Sequence, residues 1–241
     1  MIERSLRQRA KSAALRLPGV EKLVSLTLPR AQVFQVAYAA QAWGSAESGS
    51  GVGSELAATE NVSAYLPELF RRLQISRFLD APCGDWNWMR KVDLAGVDYV
   101  GADVVSSVVA RNGQKYERPG VRFIHADLTR DPLPAVELIM CRDCWVHLSF
   151  SDMAAMLKNF RRTGATWLLI SHTPGHDRNV AKATGIGWRH LNLNRPPSPG
   201  ARAPSAYLDD LLDEQPGMFP PAAGNQPPPN GGHHGSQRGR Y

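Results

Sequence analysis

The sequence predicts an α/β fold built on a doubly wound, mainly parallel sheet. Three observations lead there. From Ser76 onward, short apolar strands alternate with amphipathic helices. The stretch Phe78-Leu79-Asp80-Ala81-Pro82-Cys83-Gly84-Asp85 ends a strand in an acid and turns at once on small residues. A parallel sheet needs such a turn where a nucleotide-like ligand rests on the carboxyl end of a strand. Finally, acids close three successive strands at Asp80, Asp103 and Asp127, with intervals of 23 and 24 residues. Each interval fits one helical crossover, so all three acids fall at the same sheet edge.

Each element follows from a local pattern. Positions 4–26 carry apolar residues at loosely helical spacing (Leu6, Ala10, Ala13, Leu15) until Pro18 interrupts them. A second helix is expected over 31–43. Segment 44–53 holds four glycines and three serines and reads as a mobile loop. Ser54 then looks like the N-cap of a helix ending near Arg72, with Leu56, Val62, Leu66 and Leu69 on one side. Strands are expected at 77–81, 99–103, 121–126, 138–141 and 166–172. Helices are expected at 86–92, 106–116 and 150–162, the last capped by Ser151. Residues 195–204 and 215–241 are dense in Pro and Gly, and from Gln215 onward the composition predicts disorder. The expected units are therefore a basic helical segment (1–30), a helical cap with a Gly/Ser-rich lid (31–75), the core (76–195) and a largely disordered tail (196–241).

With 241 residues, 43% of them hydrophobic, the chain suits one α/β domain with appendages. No apolar run approaches the roughly 18 to 20 residues that span a bilayer. Residues 1–30 are broken by charges where a secretory signal would have an apolar stretch, so a cytoplasmic location is expected. Cys83, Cys141 and Cys144 are too few and too clustered for a disulfide framework. Of the net charge of +6, a surplus of five lies in residues 1–30, where seven basic residues face Glu3 and Glu21. That segment is either a solvated helix face or the site of a weak anionic partner: nucleic acid, anionic lipid or acidic protein. It has no aromatic residue on which bases would stack.

The strand-end acids carry the chemistry. Asp80 beside the Gly84 turn would repel a pyrophosphate and welcome a cationic amino-acid moiety. Asp103 suits two ribose hydroxyls, and Asp127 an adenine amino group. The run Cys141-x-x-Cys144-x-x-His147, with Cys83 nearby, raises the question of zinc. Cys83 has no companion ligand and Cys141 ends a strand, so no metal site is expected. For a general base the candidates are His147 and Asp143, with His172 at the end of a neighbouring strand. The Ser48-Gly49-Ser50-Gly51 loop lacks the Gly-Lys-Ser/Thr ending of a P-loop and reads as a water-excluding lid or a plain linker.

Over roughly residues 36–195, the sequence resembles the class I S-adenosylmethionine-dependent methyltransferases. The likeness rests on Phe78 to Asp85, Val-Gly-Ala-Asp (100–103), His-Ala-Asp-Leu (125–128) and Leu-Ile-Met-Cys-Arg-Asp-Cys-Trp-Val-His-Leu (138–148). Trp43-Gly44-Ser45, the Ser-Gly-Ser-Gly loop and Asp85-Trp86-Asn87-Trp88-Met89 look like an uncharacterised bacterial subgroup of that superfamily. The resemblance implies a Rossmann-like, seven-stranded sheet with S-adenosylmethionine on its carboxyl edge. Asp80, Cys83 and Gly84 would line the methionine end, and Asp103 would take the ribose. Asp127 with Leu128 would frame adenine, and Cys141, Arg142 and Asp143 would lie beneath the transferred methyl. The implied reaction moves a methyl group to a hydroxyl or amine of a small-molecule acceptor. The alternatives are a degenerate cofactor-binding protein and a nicotinamide-dependent oxidoreductase, whose Gly-x-Gly-x-x-Gly turn this chain lacks. No Asn-Pro-Pro-Tyr-type motif follows the fourth strand, which speaks against a nucleic-acid acceptor.

Two departures stand out. Pro82 and Trp86 replace the outer two of the three glycines usual in the first turn. The superfamily's closing antiparallel hairpin has at most one counterpart, 205–213, so the C-terminal strands are expected to be missing and that sheet edge uncovered.

Overall fold

The computed structural model describes residues 14, 15 and 17–195. Five strands form its sheet: β1 (Arg77–Asp80), β2 (Asp98–Asp103), β3 (Val121–His125), β4 (Leu138–Cys141) and β5 (Trp167–Ile170). All pairings are parallel, in the order β3-β2-β1-β4-β5. The order reverses between β1 and β4, the switch point of a doubly wound, Rossmann-like sheet. The predicted fold class is the observed one.

Buried strands explain the continuous apolar runs. Side chains alternate across the sheet, so Leu79, Val100 and Ile139 enter one core layer and Phe78, Tyr99 and Leu138 the other. The helices are α1 (Pro18–Thr27), α2 (Arg30–Ala39), α3 (Leu56–Arg72), α4 (Ser106–Tyr116) and α5 (Phe150–Arg161). Met153, Met156 and Phe160 of α5 cover the first layer, whereas Val62, Leu66, Leu69 and Phe70 of α3 cover the second. Helices on both faces are what an all-parallel sheet requires.

Local expectations shift at several boundaries. Residues 14 and 15 are helical, residue 17 lies in a bend, and Pro18 opens α1, since its missing N–H costs nothing in the first turn. The helix expected over 31–43 is α2, which ends at Ala39. Ser54 does not cap α3: it closes a 3-10 turn, and Glu55 precedes the helix without a side-chain cap. The helix expected over 86–92 shrinks to one 3-10 turn, Met89–Lys91, because Trp86 adopts a positive φ of 59°. Ser149, not Ser151, caps α5, its hydroxyl accepting from Asp152 N at 3.2 Å. The fifth strand contracts to 167–170. Residues 205–213 and the tail lie outside the described residues.

Leu79 sits in the centre of β1 with no exposed surface. Leu79→Ala is expected to lower the unfolding free energy by roughly 2–5 kcal/mol, measured by denaturant titration.

Candidate functional site

The first turn shows how the local sequence shapes the site. Gly84 has φ 55°, in the left-handed region, and a Cβ there would collide with Ser50 Oγ. Trp86 holds a similar φ with a bulky side chain, which is strained backbone. Its indole is anchored against Tyr99, Tyr116 and Phe123, with ring centroids 5.6, 4.9 and 5.3 Å away. Aromatic packing thus holds a conformation that glycine adopts without strain.

The Gly/Ser-rich segment folds directly over this turn and is fastened to it. The Asp85 carboxylate accepts from Ser48 Oγ (2.9 Å), Gly49 N (2.7 Å) and Ser50 Oγ (3.0 Å). Ser50 Oγ in turn accepts from Asp85 N and contacts the Tyr38 hydroxyl at 2.6 Å. Asn87 donates to Glu47 and to the Ser54 carbonyl. The segment is a pinned cover in this structure, and Asp85 and Asn87 are the pins. They are polar residues that alternate with Trp86 and Trp88, and that alternation was the available sequence signal.

A cavity of about 120 Å³ lies at the carboxyl edge of the sheet. Asp80, Cys83, Gly84, Asp103, Asp127, Leu128, Arg142, Asp143 and His147 all line it. Cys141 does not: it is fully buried in the core with Sγ 3.9 Å from Met156 Sδ, and Cys144 reaches the cavity instead. His172, beyond β5, is outside the lining. The other walls are aromatic. Phe34, Tyr38, Trp43 and Trp88 join His147, and the Arg142 guanidinium lies over the Trp88 ring at 5.6 Å. Among the described residues, no group of three or more side chains could hold a metal ion.

The electrostatics separate the acids. Burial pushes the Asp80 carboxyl up to about 7, although Tyr99 donates to it at 2.8 Å and Arg142 opposes the shift. Burial pushes Asp103 up to about 6, against backbone N–H groups of Val105 and Gly84 that donate at 2.9 and 3.0 Å. Two buried carboxylates therefore face the cavity short of positive charge. Asp127 behaves oppositely. Burial works against its charge, yet Thr129 and Arg30 hold it below the ordinary carboxylate range. Arg30 Nη1 donates to both Asp127 oxygens at 2.8 and 2.6 Å, and Nη2 reaches Asp152 at 2.6 Å. Asp127 thus already carries a guanidinium from α2, a partner 97 residues away that no local motif announced.

His147 ends the 3-10 turn Trp145–His147. Nδ1 lies 3.1 Å from the Gly187 carbonyl, which only accepts, so the neutral ring carries its proton there and its lone pair on Nε2. Burial first, then Lys182, lowers its pKa to about 4, outweighing the Gly187 and Ile186 carbonyls that favour the charged form. The ring is neutral at physiological pH. Its support comes from 185–189, a non-regular stretch in which Gly185 N donates to the His147 carbonyl and Arg189 to the Leu148 carbonyl. With no periodicity, that stretch gave the sequence reading nothing to find. Asp143 has φ 48° and a backbone N–H fixed on Ser171 Oγ at 2.7 Å.

No family model matches the chain, and no curated protein matches it. Solved structures do. Human N-acetylserotonin methyltransferase in complex with S-adenosylmethionine is 16% identical, with TM-score 0.44, over 66% of this chain and 46% of that one. Magnesium protoporphyrin IX methyltransferase from Synechocystis, also with S-adenosylmethionine bound, gives 15% identity and TM-score 0.43, over 62% of this chain and 78% of its own. An amino pentose methyltransferase from Micromonospora echinaspora gives 16% and 0.41, over 49% and 53%. All three are methyltransferases. The chain spans about half the length of the first of them.

If Asp85 pins the cover, Asp85→Ala is expected to raise amide exchange at Gly49 and Ser50 roughly tenfold or more. Protection in β1 and β4 should stay unchanged in the same hydrogen-exchange experiment.

Proposed function

We propose that this protein binds S-adenosylmethionine at the carboxyl edge of its sheet and transfers the methyl group to a hydroxyl or amine of a small-molecule acceptor. One observation carries the reading: Asp80 and Asp103, both buried, bring to one cavity more carboxylate than the cation beside them offsets. A ligand with a cationic amino-acid end fits that donor set, and a pyrophosphate does not. S-adenosylmethionine supplies an electrophilic methyl on a sulfonium centre.

The chain's own residues divide the remaining work. Asp80 and the Gly84 turn hold the cationic end, with Cys83 packed beneath; Asp103 orients the ribose. Burial, then Asp103 and Asp80, pushes the Cys83 thiol up, so it stays neutral and adds no competing charge. Leu128 and Asp127 flank the base, with Arg30 fixing the Asp127 carboxylate. The pinned 44–53 cover excludes water from the reacting centre. Phe34, Trp43 and Trp88 give the acceptor a flat apolar berth, and Arg142 and Asp143 close its floor. His147 accepts the acceptor's proton at Nε2, and the Gly187 carbonyl holds the Nδ1 proton in place. A pKa lowered to about 4 keeps His147 unprotonated across the physiological range and lowers its strength as a base.

Calorimetry tests the binding step. Asp103→Ala is expected to weaken S-adenosylmethionine affinity by roughly a hundredfold, since two hydroxyl contacts of the ribose would be lost; unchanged affinity overturns the ribose assignment. His147→Ala is expected to leave that affinity intact and, once an acceptor is found by screening phenols and amines, to lower turnover roughly 10²- to 10⁴-fold.

A further inference from the structure

His147 is gripped from behind by a segment that carries a charge. Its Nδ1 lies 3.1 Å from the Gly187 carbonyl, and its own carbonyl accepts from Gly185 N at 3.0 Å. Lys182 joins these two contacts. Its Nζ donates to the same Gly187 oxygen and reaches the His147 carbonyl at 3.5 Å. One ammonium thus touches both the group that holds the ring and the backbone that carries it. The segment is anchored on either side of this point. Buried Arg189 donates to the Val180 carbonyl at 2.7 Å and to the Leu148 carbonyl at 2.5 Å, and Thr184 donates to Asp152.

A carbonyl oxygen only accepts, and its two lone pairs serve two donors. At Gly187 those donors are the Lys182 ammonium and the His147 ring. We infer that Lys182 is a positioning residue for His147: it fixes the Gly187 carbonyl, which keeps the proton on Nδ1 and the lone pair on Nε2, and it holds a positive charge behind the ring. This rests on the reading of His147 as the proton acceptor. Among the described residues, the charged groups that act on the imidazole are Lys182 and, from the turn after β4, Asp143. They work in opposite directions, and Lys182 outweighs Asp143. Arg189 and Asp152 are engaged elsewhere, Arg189 with carbonyls and the Phe150 ring, Asp152 with Arg30 and Thr184. A like charge behind the ring disfavours the imidazolium. The ring therefore remains a proton acceptor at pH values where an ordinary histidine is half protonated, at a cost in basicity.

Long-range proton–nitrogen NMR of the full chain, labelled at histidine, reads the tautomer and the titration midpoint of His147 together. Loss of one signal in His147→Gln assigns it. The parent ring should carry its proton on Nδ1 and titrate at about 4. Lys182→Gln keeps a donor but removes the charge, so the midpoint should rise to about 5 with the tautomer unchanged. Lys182→Arg keeps the charge and should leave the midpoint at about 4. In the turnover assay, the acid limb should move with the midpoint in Lys182→Gln. A midpoint that Lys182→Gln leaves in place overturns the inference. So does a rise as large in Lys182→Arg, or a parent ring protonated on Nε2. A midpoint that rises while the acid limb stays put removes His147 as the base, and with it the role of Lys182 in the reaction, although the grip on the ring stands. The two failures are thereby told apart.

Discussion

The arrangement rests on two carboxylates forced into one dry sheet edge. Asp80 ends β1 and Asp103 ends the neighbouring β2, and both are 3% exposed. A parallel sheet leaves little choice about this. Crossovers return every strand in the same direction, so residues that end strands converge on one edge. Burial raises both acids; at Asp80 the charge of Asp103 adds to the rise and Arg142 opposes it, while backbone N–H groups and His125 oppose the rise at Asp103. The sign of the cost follows. A carboxyl raised from 3.8 to about 7 destabilises the fold above pH 7 and does so not at all below its unfolded pKa. For Asp80 that cost is about 4 kcal/mol. Packing does not demand it, and a cation in the cavity would remove it.

The surrounding structure holds that edge open and covered. Trp86 keeps the first turn in its strained conformation by filling the space beneath it with aromatic surface. Asp85, on the same turn, draws the Gly/Ser segment over the cavity, and Tyr38 reaches Ser50 from α2. On the far side, Arg30 ties α2 to the end of β3 and to α5, while Thr184 donates to the same Asp152. The cover is therefore linked to the sheet by polar bonds, and the 185–189 stretch behind His147 adds the buried Ile186, packed with Val33, Ala37 and Ala42. The polar links of the cover can open without unfolding the domain.

Much of this was legible from residue order alone. The parallel direction of the strands and the placement of the acids follow from alternation and spacing, because each interval fits one helical crossover. Cavity residues such as Asp80, Gly84 and Asp103 sit at strand ends, which the pattern marks. What escaped were contacts made across long stretches of chain. Arg30 finds Asp127 through tertiary packing, and Gly187 fixes His147 from a segment without periodicity. The resemblance puts Cys141, the last residue of β4, at the cavity, yet it sits inward against Met156 and yields the wall to Cys144. The 86–92 helix failed because one buried tryptophan overrode local propensity. In each case tertiary packing decided against the local signal.

The central claim is that the two raised acids form the seat for a cationic ligand. Proton exchange on binding tests it most directly. Titration calorimetry of S-adenosylmethionine in two buffers of different ionisation enthalpy, near pH 6.5, counts the protons released. A ligand that seats its cationic end on Asp80 and its ribose hydroxyls on Asp103 drives both acids to ionise, so about one proton should leave near pH 6.5 and affinity should rise by roughly two to three orders of magnitude from about pH 5 to about pH 8. Proton uptake, or an affinity indifferent to pH across that range, would contradict the account.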